Sequence, residues 1–181
     1  MKTIELFTPE ELKQMAPDAY ARVLAQWAEC VAQDEMPWSG EIMDSLKAVV
    51  GACGGTLTDW SIGAYGPSSC TVRVDDEDDD GNQKGPKWFL REVLTPLGYV
   101  KDGAASFPGL CKLTGVCYDD DFLEAAHKEL TQGRTLTQAL EGLASDAERM
   151  MAADLEQAQD EESMLANWGD SARWTIDGKR V

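Results

Sequence analysis

Six consecutive carboxylates, Asp75-Asp76-Glu77-Asp78-Asp79-Asp80, precede Gly81 and constrain the fold more than any other stretch of the chain. An unpaired carboxylate is too costly to bury, so the run must lie in solvent or face a cationic partner. Ser69 to Val74, just before it, alternates as a strand that places Cys70, Val72 and Val74 on one face. The run therefore reads as a solvated hairpin loop. If it is extended, a rise of roughly 3.3 Å per residue brings its axial charge density near that of one DNA strand, about one charge per 3.4 Å. Alternation of side chains between the two faces keeps density alone from making a mimic. Asp76, Asp78, Asp80 and Gly81 also match the first half of a calcium-binding loop. Its twelfth position is Lys87, where a bidentate carboxylate is required, so an EF-hand site is not expected.

The acidity is distributed. The 181 residues carry a net charge of −17, and −11 remains without the run. A hydrophobic fraction of 43% with six Trp marks a globular chain rather than a disordered acidic tail. Such an excess is either a solubility device or a surface for meeting a basic partner. Direct binding to nucleic acid or to an anionic membrane is disfavoured. Met1 to Leu6 lacks the apolar stretch of a signal peptide and no apolar run reaches membrane-spanning length, so a cytoplasmic protein is expected. Cys30, Cys53, Cys70, Cys111 and Cys117 are an odd number among apolar neighbours and suit reduced, buried thiols.

The periodicity predicts an α+β chain, mostly helical, with a small antiparallel sheet near 56–65, 69–75 and 173–177 packed against helices. It reads as one domain, divisible into a helix-and-sheet part over 1–100 and a helical part over 110–170. Thr8, Pro9 and Glu11 predict a helix start with a capping box, and Thr135 with Gln138 predicts another. Tyr20, Val23, Leu24, Trp27 and Val31 form one core-facing stripe; Ile42, Met43, Leu46, Val49 and Val50 form a second, in a helix that Ser39 can cap after a turn at 35–38. Gly66 to Ser68 reads as a turn. The short helix after Gly85 should stop near Pro96, and 101–109 reads as loop. Asp119, Asp120 or Asp121 can cap the next helix, whose stripe is Phe122, Leu123, Ala126 and Leu130. The last helix carries a stripe from Leu140 to Leu165, with eight acidic residues between Glu141 and Glu162, Glu148 and Glu156 among them, mostly on the remaining face. Residues 173–180 read as a closing strand and turn with basic ends.

Catalytic machinery is sparse. His127 is the single histidine and falls at helical spacing from Leu123 and Leu130, the position of a helix-flank residue. Cys111 and Cys117 are not spaced as zinc ligands, and no CxxC or HxxxH completes a tetrahedral site, so no metal is expected. No P-loop, dinucleotide fingerprint or G-x-S-x-G elbow is present, and no cofactor is expected. Asp59, between Thr58 and Trp60 in a predicted strand, is the one acid to watch for acid or base work, and an outward strand position or a capped turn partner is the favoured reading of it. A non-enzymatic role is the stronger expectation.

Four stretches carry a resemblance: the FTPEEL opening with Trp27, DWSIGAYGPSSC from Asp59 to Cys70, CKLTGVCYDDDFL from Cys111 to Leu123, and DEESMLANWGDSARWTIDGKR from Asp160 to Arg180. Together they resemble a family of uncharacterised accessory proteins encoded by phages and other mobile elements. The closing Trp174-Thr175-Ile176 and the shortened region around the acidic run depart from that pattern. The resemblance implies a counter-defence setting, in which small acidic proteins of the anti-CRISPR type bind the basic surfaces with which bacterial immune proteins hold nucleic acid. A multisubunit type I effector is one candidate target. The expected partner is then a basic nucleic-acid-binding protein or ribonucleoprotein complex of the host. Asp75, Asp76, Glu77, Asp78, Asp79, Asp80, Asp119, Asp120, Asp121, Glu148 and Glu156 are the expected partner-binding residues. A phage regulatory or antitoxin-like protein pairing with one small basic partner is the alternative.

Overall fold

A computed structural model of the chain describes residues 5–33, 37–61, 69–116, 118–168 and 172–181. The predicted turn at 66–68 and Cys117 lie outside the described residues, as do the first four residues and 34–36 of the expected turn before the second helix. Among the described residues the chain is mostly helical with two small antiparallel sheets. It divides into two compact units, one formed by Met1–Met36 with Ala153–Val181, the other by Pro37–Ala152. Both chain ends share the first unit, in which Phe7 and Trp174 exchange backbone hydrogen bonds of 2.8 and 3.1 Å.

In the terminal unit, α1 (Pro9–Met15) begins at the predicted capping box: Thr8 Oγ1 accepts from the Glu11 N–H and a Glu11 carboxylate oxygen accepts from the Thr8 N–H. α2 (Pro17–Gln33) buries Tyr20 and Val23 against Leu12, Met164 and Trp174. The chain closes with a turn that Gly178 makes at φ +84°, and Thr175 and Lys179 face each other across it. A Cβ at Gly178 would lie 3.0 Å from the Ala19 carbonyl oxygen, so space and backbone both favour glycine. The strand expected near 173–177 is reduced to single bridges of Trp174 with Phe7 and with Arg180.

The central unit begins with α3 (Pro37–Ala52), whose Ile42, Met43, Leu46, Val49 and Val50 are buried as their spacing predicts. It starts two residues before Ser39, the expected cap. β1 (Thr56–Ser61) pairs antiparallel with β2 (Ser69–Arg73), Leu57 opposite Val72, with a register shift between Thr58 and Ser61. Val72 is buried and Cys70 and Val74 pack partly beneath it, while Thr71 and Arg73 face solvent.

The helical stretch that begins with α4 (Pro86–Phe89) ends beside Pro96, as expected. It opens into a π-helical turn at Leu90–Leu94 and closes with α5 (Thr95–Leu97) and a left-handed Gly98. Pro96 has no N–H to give the carbonyl four residues back and its ring crowds that position; the wider turn accommodates both effects. The Thr95 N–H and hydroxyl both donate to the Leu90 carbonyl. β3 (Val100–Lys101) and β4 (Ala104–Ala105) form a tight hairpin where a loop is expected, with Asp102 at φ 52° and Gly103 at φ 79°. That Asp-Gly pair is the sequence signal for such a turn.

α6 (Tyr118–Thr131) packs on α3 through Phe122, Leu123, Ala126 and Leu130, and α7 (Leu136–Ala158) buries Leu136, Leu140, Leu143, Ala147 and Met151 in the same cluster. The expected single helix to Leu165 is interrupted. Gln159 and Asp160 form a turn, and the Asp160 carboxylate caps the Ser163 N–H at 2.7 Å to start α8 (Glu161–Trp168). Among the described residues no helix is long and apolar enough to cross a membrane.

Candidate functional site

The acidic run is an ordered hairpin in which alternate carboxylates have different jobs. Glu77 and Gln83 form an antiparallel bridge, and the Lys84 N–H closes the loop on the Asp76 carbonyl at 2.7 Å. Gly81 makes the bend at φ +76°. Asp78 organises the tip: its Oδ1 accepts from the N–H groups of Asp80 and Asn82 at 3.0 and 2.8 Å. The Asn82 N–H, leading the donors outside, holds the Asp78 carboxyl below its ordinary range. Asp76 points to α7, whose start has the predicted capping box between Thr135 and Gln138, and accepts the Thr137 N–H at 2.7 Å. Like Asp78, it is half-buried. Asp75, Glu77, Asp79 and Asp80 are exposed.

This arrangement follows from strand periodicity and from helix electrostatics. An N-terminal turn leaves N–H groups unsatisfied and carries partial positive charge, so a carboxylate arriving from β2 is stabilised there. Capping of α7 by Asp76 anchors one end of the hairpin and the hydrogen bonds to Asp78 close the other. Alternation leaves Asp75 and Glu77 outward, and Asp79 and Asp80 are exposed at the bend that follows.

Asp119 and Asp120 depart from the expected acidic surface. Both sit in the first turn of α6, 0% and 7% exposed, and are turned back under the preceding loop. Asp120 accepts from the N–H groups of Gly109, Leu110 and Cys111 and from the Tyr99 hydroxyl. Asp119 accepts from the N–H groups of Leu113 and Thr114 and from the Thr114 hydroxyl, at 2.9, 2.7 and 2.7 Å. Between them, the Lys112 N–H donates to the Tyr99 oxygen at 3.2 Å. Burial, the largest single influence on each acid, works to raise its pKa. The hydrogen bonds together outweigh it, led by the Thr114 N–H for Asp119 and the Tyr99 hydroxyl for Asp120, and both carboxyls are held below the ordinary range. The same contact, with burial as the larger cause, pushes the Tyr99 phenol up to about 12. These two acids hold a loop rather than present charge; Asp121 beside them is exposed.

Glu148 is half-buried on α7 near Cys70, and Glu156 is exposed in the terminal unit. Within the central unit the structure brings the hairpin acids together with a surface the spacing did not reveal. A groove of about 480 Å³ runs beneath the hairpin tip, bounded by Asp78 to Asp80, by the C-terminal end of α3, and by Lys84, Trp88, Arg91 and Glu92. Lys84 Nζ lies 5.2 Å from the centre of the Trp88 ring. Arg91 pairs with its neighbour Glu92. Cys53, at the groove floor, is buried and its thiol is pushed up to about 12, so it is no nucleophile at neutral pH.

The remaining candidates for chemistry are not assembled with these groups. His127 is half-buried, with Phe89 stacked at 6.3 Å and Phe107 tilted at 6.3 Å, and burial lowers its pKa. The Asp59 side chain lies outside the described residues. Among the described residues no three metal-binding side chains converge. Cys53 is buried as expected, whereas Cys30 is exposed on α2 and Cys70 and Cys111 are half-buried. Comparison of the chain with protein-family models, with curated proteins and with solved structures finds no match.

Proposed function

We propose that the chain is a non-catalytic acidic binding protein whose outward hairpin carboxylates engage an Arg/Lys-lined surface of a protein that holds nucleic acid. One observation carries this reading. Asp75, Glu77, Asp79 and Asp80 stay exposed on a hairpin whose other two acids, Asp76 and Asp78, are used to fix its shape. Charge on a pre-organised element costs little further ordering on binding, and complementary potential raises the encounter rate. A net charge of −17 over the chain supports the same direction of attraction and opposes direct contact with nucleic acid.

The partner class that fits is a ribonucleoprotein complex of bacterial defence, met in the host cytoplasm and disabled by competition for its nucleic-acid groove, as with anti-CRISPR proteins. Capture from host lysate, compared between the natural chain and a variant carrying Asp75→Asn, Glu77→Gln, Asp79→Asn and Asp80→Asn, tests it. The reading expects a multisubunit nucleic-acid-binding complex on the first and its loss on the second. Recovery of one small basic protein would instead favour a regulatory or antitoxin-like pairing. Equal capture by both chains would end the electrostatic reading.

A further inference from the structure

We propose that the groove beneath the hairpin is a seat for one arginine side chain of the basic partner, its guanidinium stacked on Trp88 in the place that Lys84 occupies in the free protein. This rests on the acidic-surface reading and names the chemistry of one contact within it. The groove is more than a collection of acids. Its aromatic wall already holds an ammonium, with Lys84 Nζ 5.2 Å from the ring centre. Lys84 forms no ion pair with a carboxylate among the described residues. Its hold on the ring is a cation–π contact between two half-buried side chains, which an incoming cation can exchange. Asp79 and Asp80, which also line the groove, accept no hydrogen bond through their side chains among the described residues. The C-terminal end of α3 adds the partial negative charge of its carbonyls.

Arginine fits this combination better than lysine. A planar guanidinium stacks on an indole face while its edge donates to a carboxylate, whereas an ammonium is more strongly hydrated and must choose one of the two. About 480 Å³ is ample for one such side chain. Displaced Lys84 is long enough to swing into solvent.

Calorimetric titration of the full chain with hexa-arginine and with hexa-lysine, at one ionic strength, tests the proposal. Hexa-arginine is expected to bind about fivefold more tightly, and Trp88→Leu to remove that difference. Lys84→Met should raise affinity for hexa-arginine more than Lys87→Met, which deletes the same charge from an exposed position of α4; this pair decides the matter if Trp88→Leu fails to fold. Equal binding of the two peptides by the natural chain, or equal effects of the two lysine substitutions, would overturn the arginine seat and leave the acidic surface standing. Failure of both peptides to bind would overturn both.

Discussion

Asp119 and Asp120 are neighbours that hold successive halves of one loop, taking five backbone N–H groups between them. Alanine at Asp120 would strand three of those donors and the Tyr99 hydroxyl beneath the loop. We expect a loss of about 3 kcal/mol or more in urea denaturation, since each buried group left unpaired costs about 1–3 kcal/mol. Wild-type stability would contradict the cradle. The pH dependence has a definite sign. Both carboxyls have folded-state values depressed below their unfolded ones, so their stabilisation is complete above about pH 4 and is lost as pH falls through the folded values. His127 is depressed too, by burial; its share is complete above about pH 6.5 and declines on protonation. The urea midpoint should therefore fall in two stages on acidification, and His127→Phe should remove the first. A midpoint that rises between neutral and mildly acidic pH would exclude this assignment. The sequence placed these aspartates at a helix start, which local capping rules can read. It could not show which way they turn, because a capping acid and a loop-holding acid have the same spacing.

At the scale of elements, the hairpin at 75–84 and the start of α7 are one construction. The boxes at Thr8 with Glu11 and at Thr135 with Gln138 were readable because each closes within three residues. The bond from Thr137 to Asp76 spans 61 positions and leaves no local trace. The same limit hid the groove, whose walls come from α3, the hairpin and α4. The π-helical turn escaped for another reason: Pro96 predicts a missing donor, and whether a helix ends or widens there depends on the packing of Val93 and Leu94 in the core. Hydrogen exchange separates an ordered hairpin from a flexible acidic loop. The amides of Asp78, Asn82 and Lys84 should be protected relative to those of a free peptide of the same residues, and Asp76→Ala should lower that protection and cost about 1 kcal/mol. Free-peptide rates at all three amides would make the run the solvated loop that its composition alone suggests.

At the scale of the molecule, two clusters carry the packing among the described residues, one centred on Trp174 and Leu12 and the other on Phe89, Leu123 and Leu140. Fold class was legible because stripes such as Ile42 to Val50 and Phe122 to Leu130 recur at helical spacing and strand alternation marks 70–74. The pairing of the two chain ends was not, because Phe7 and Trp174 meet through backbone groups that any residue carries. Charge is the global property that bears on function, and its signature is kinetic. Complementary potentials accelerate encounter and are screened over about 8 Å at physiological salt. The decisive measurement is the association rate with hexa-arginine, followed by stopped flow from low to above-physiological ionic strength. The natural chain should lose about tenfold or more in rate, and the variant with Asp75, Glu77, Asp79 and Asp80 neutralised should start slower and fall less steeply. Superimposable salt profiles for the two proteins would contradict an attractive role for the hairpin.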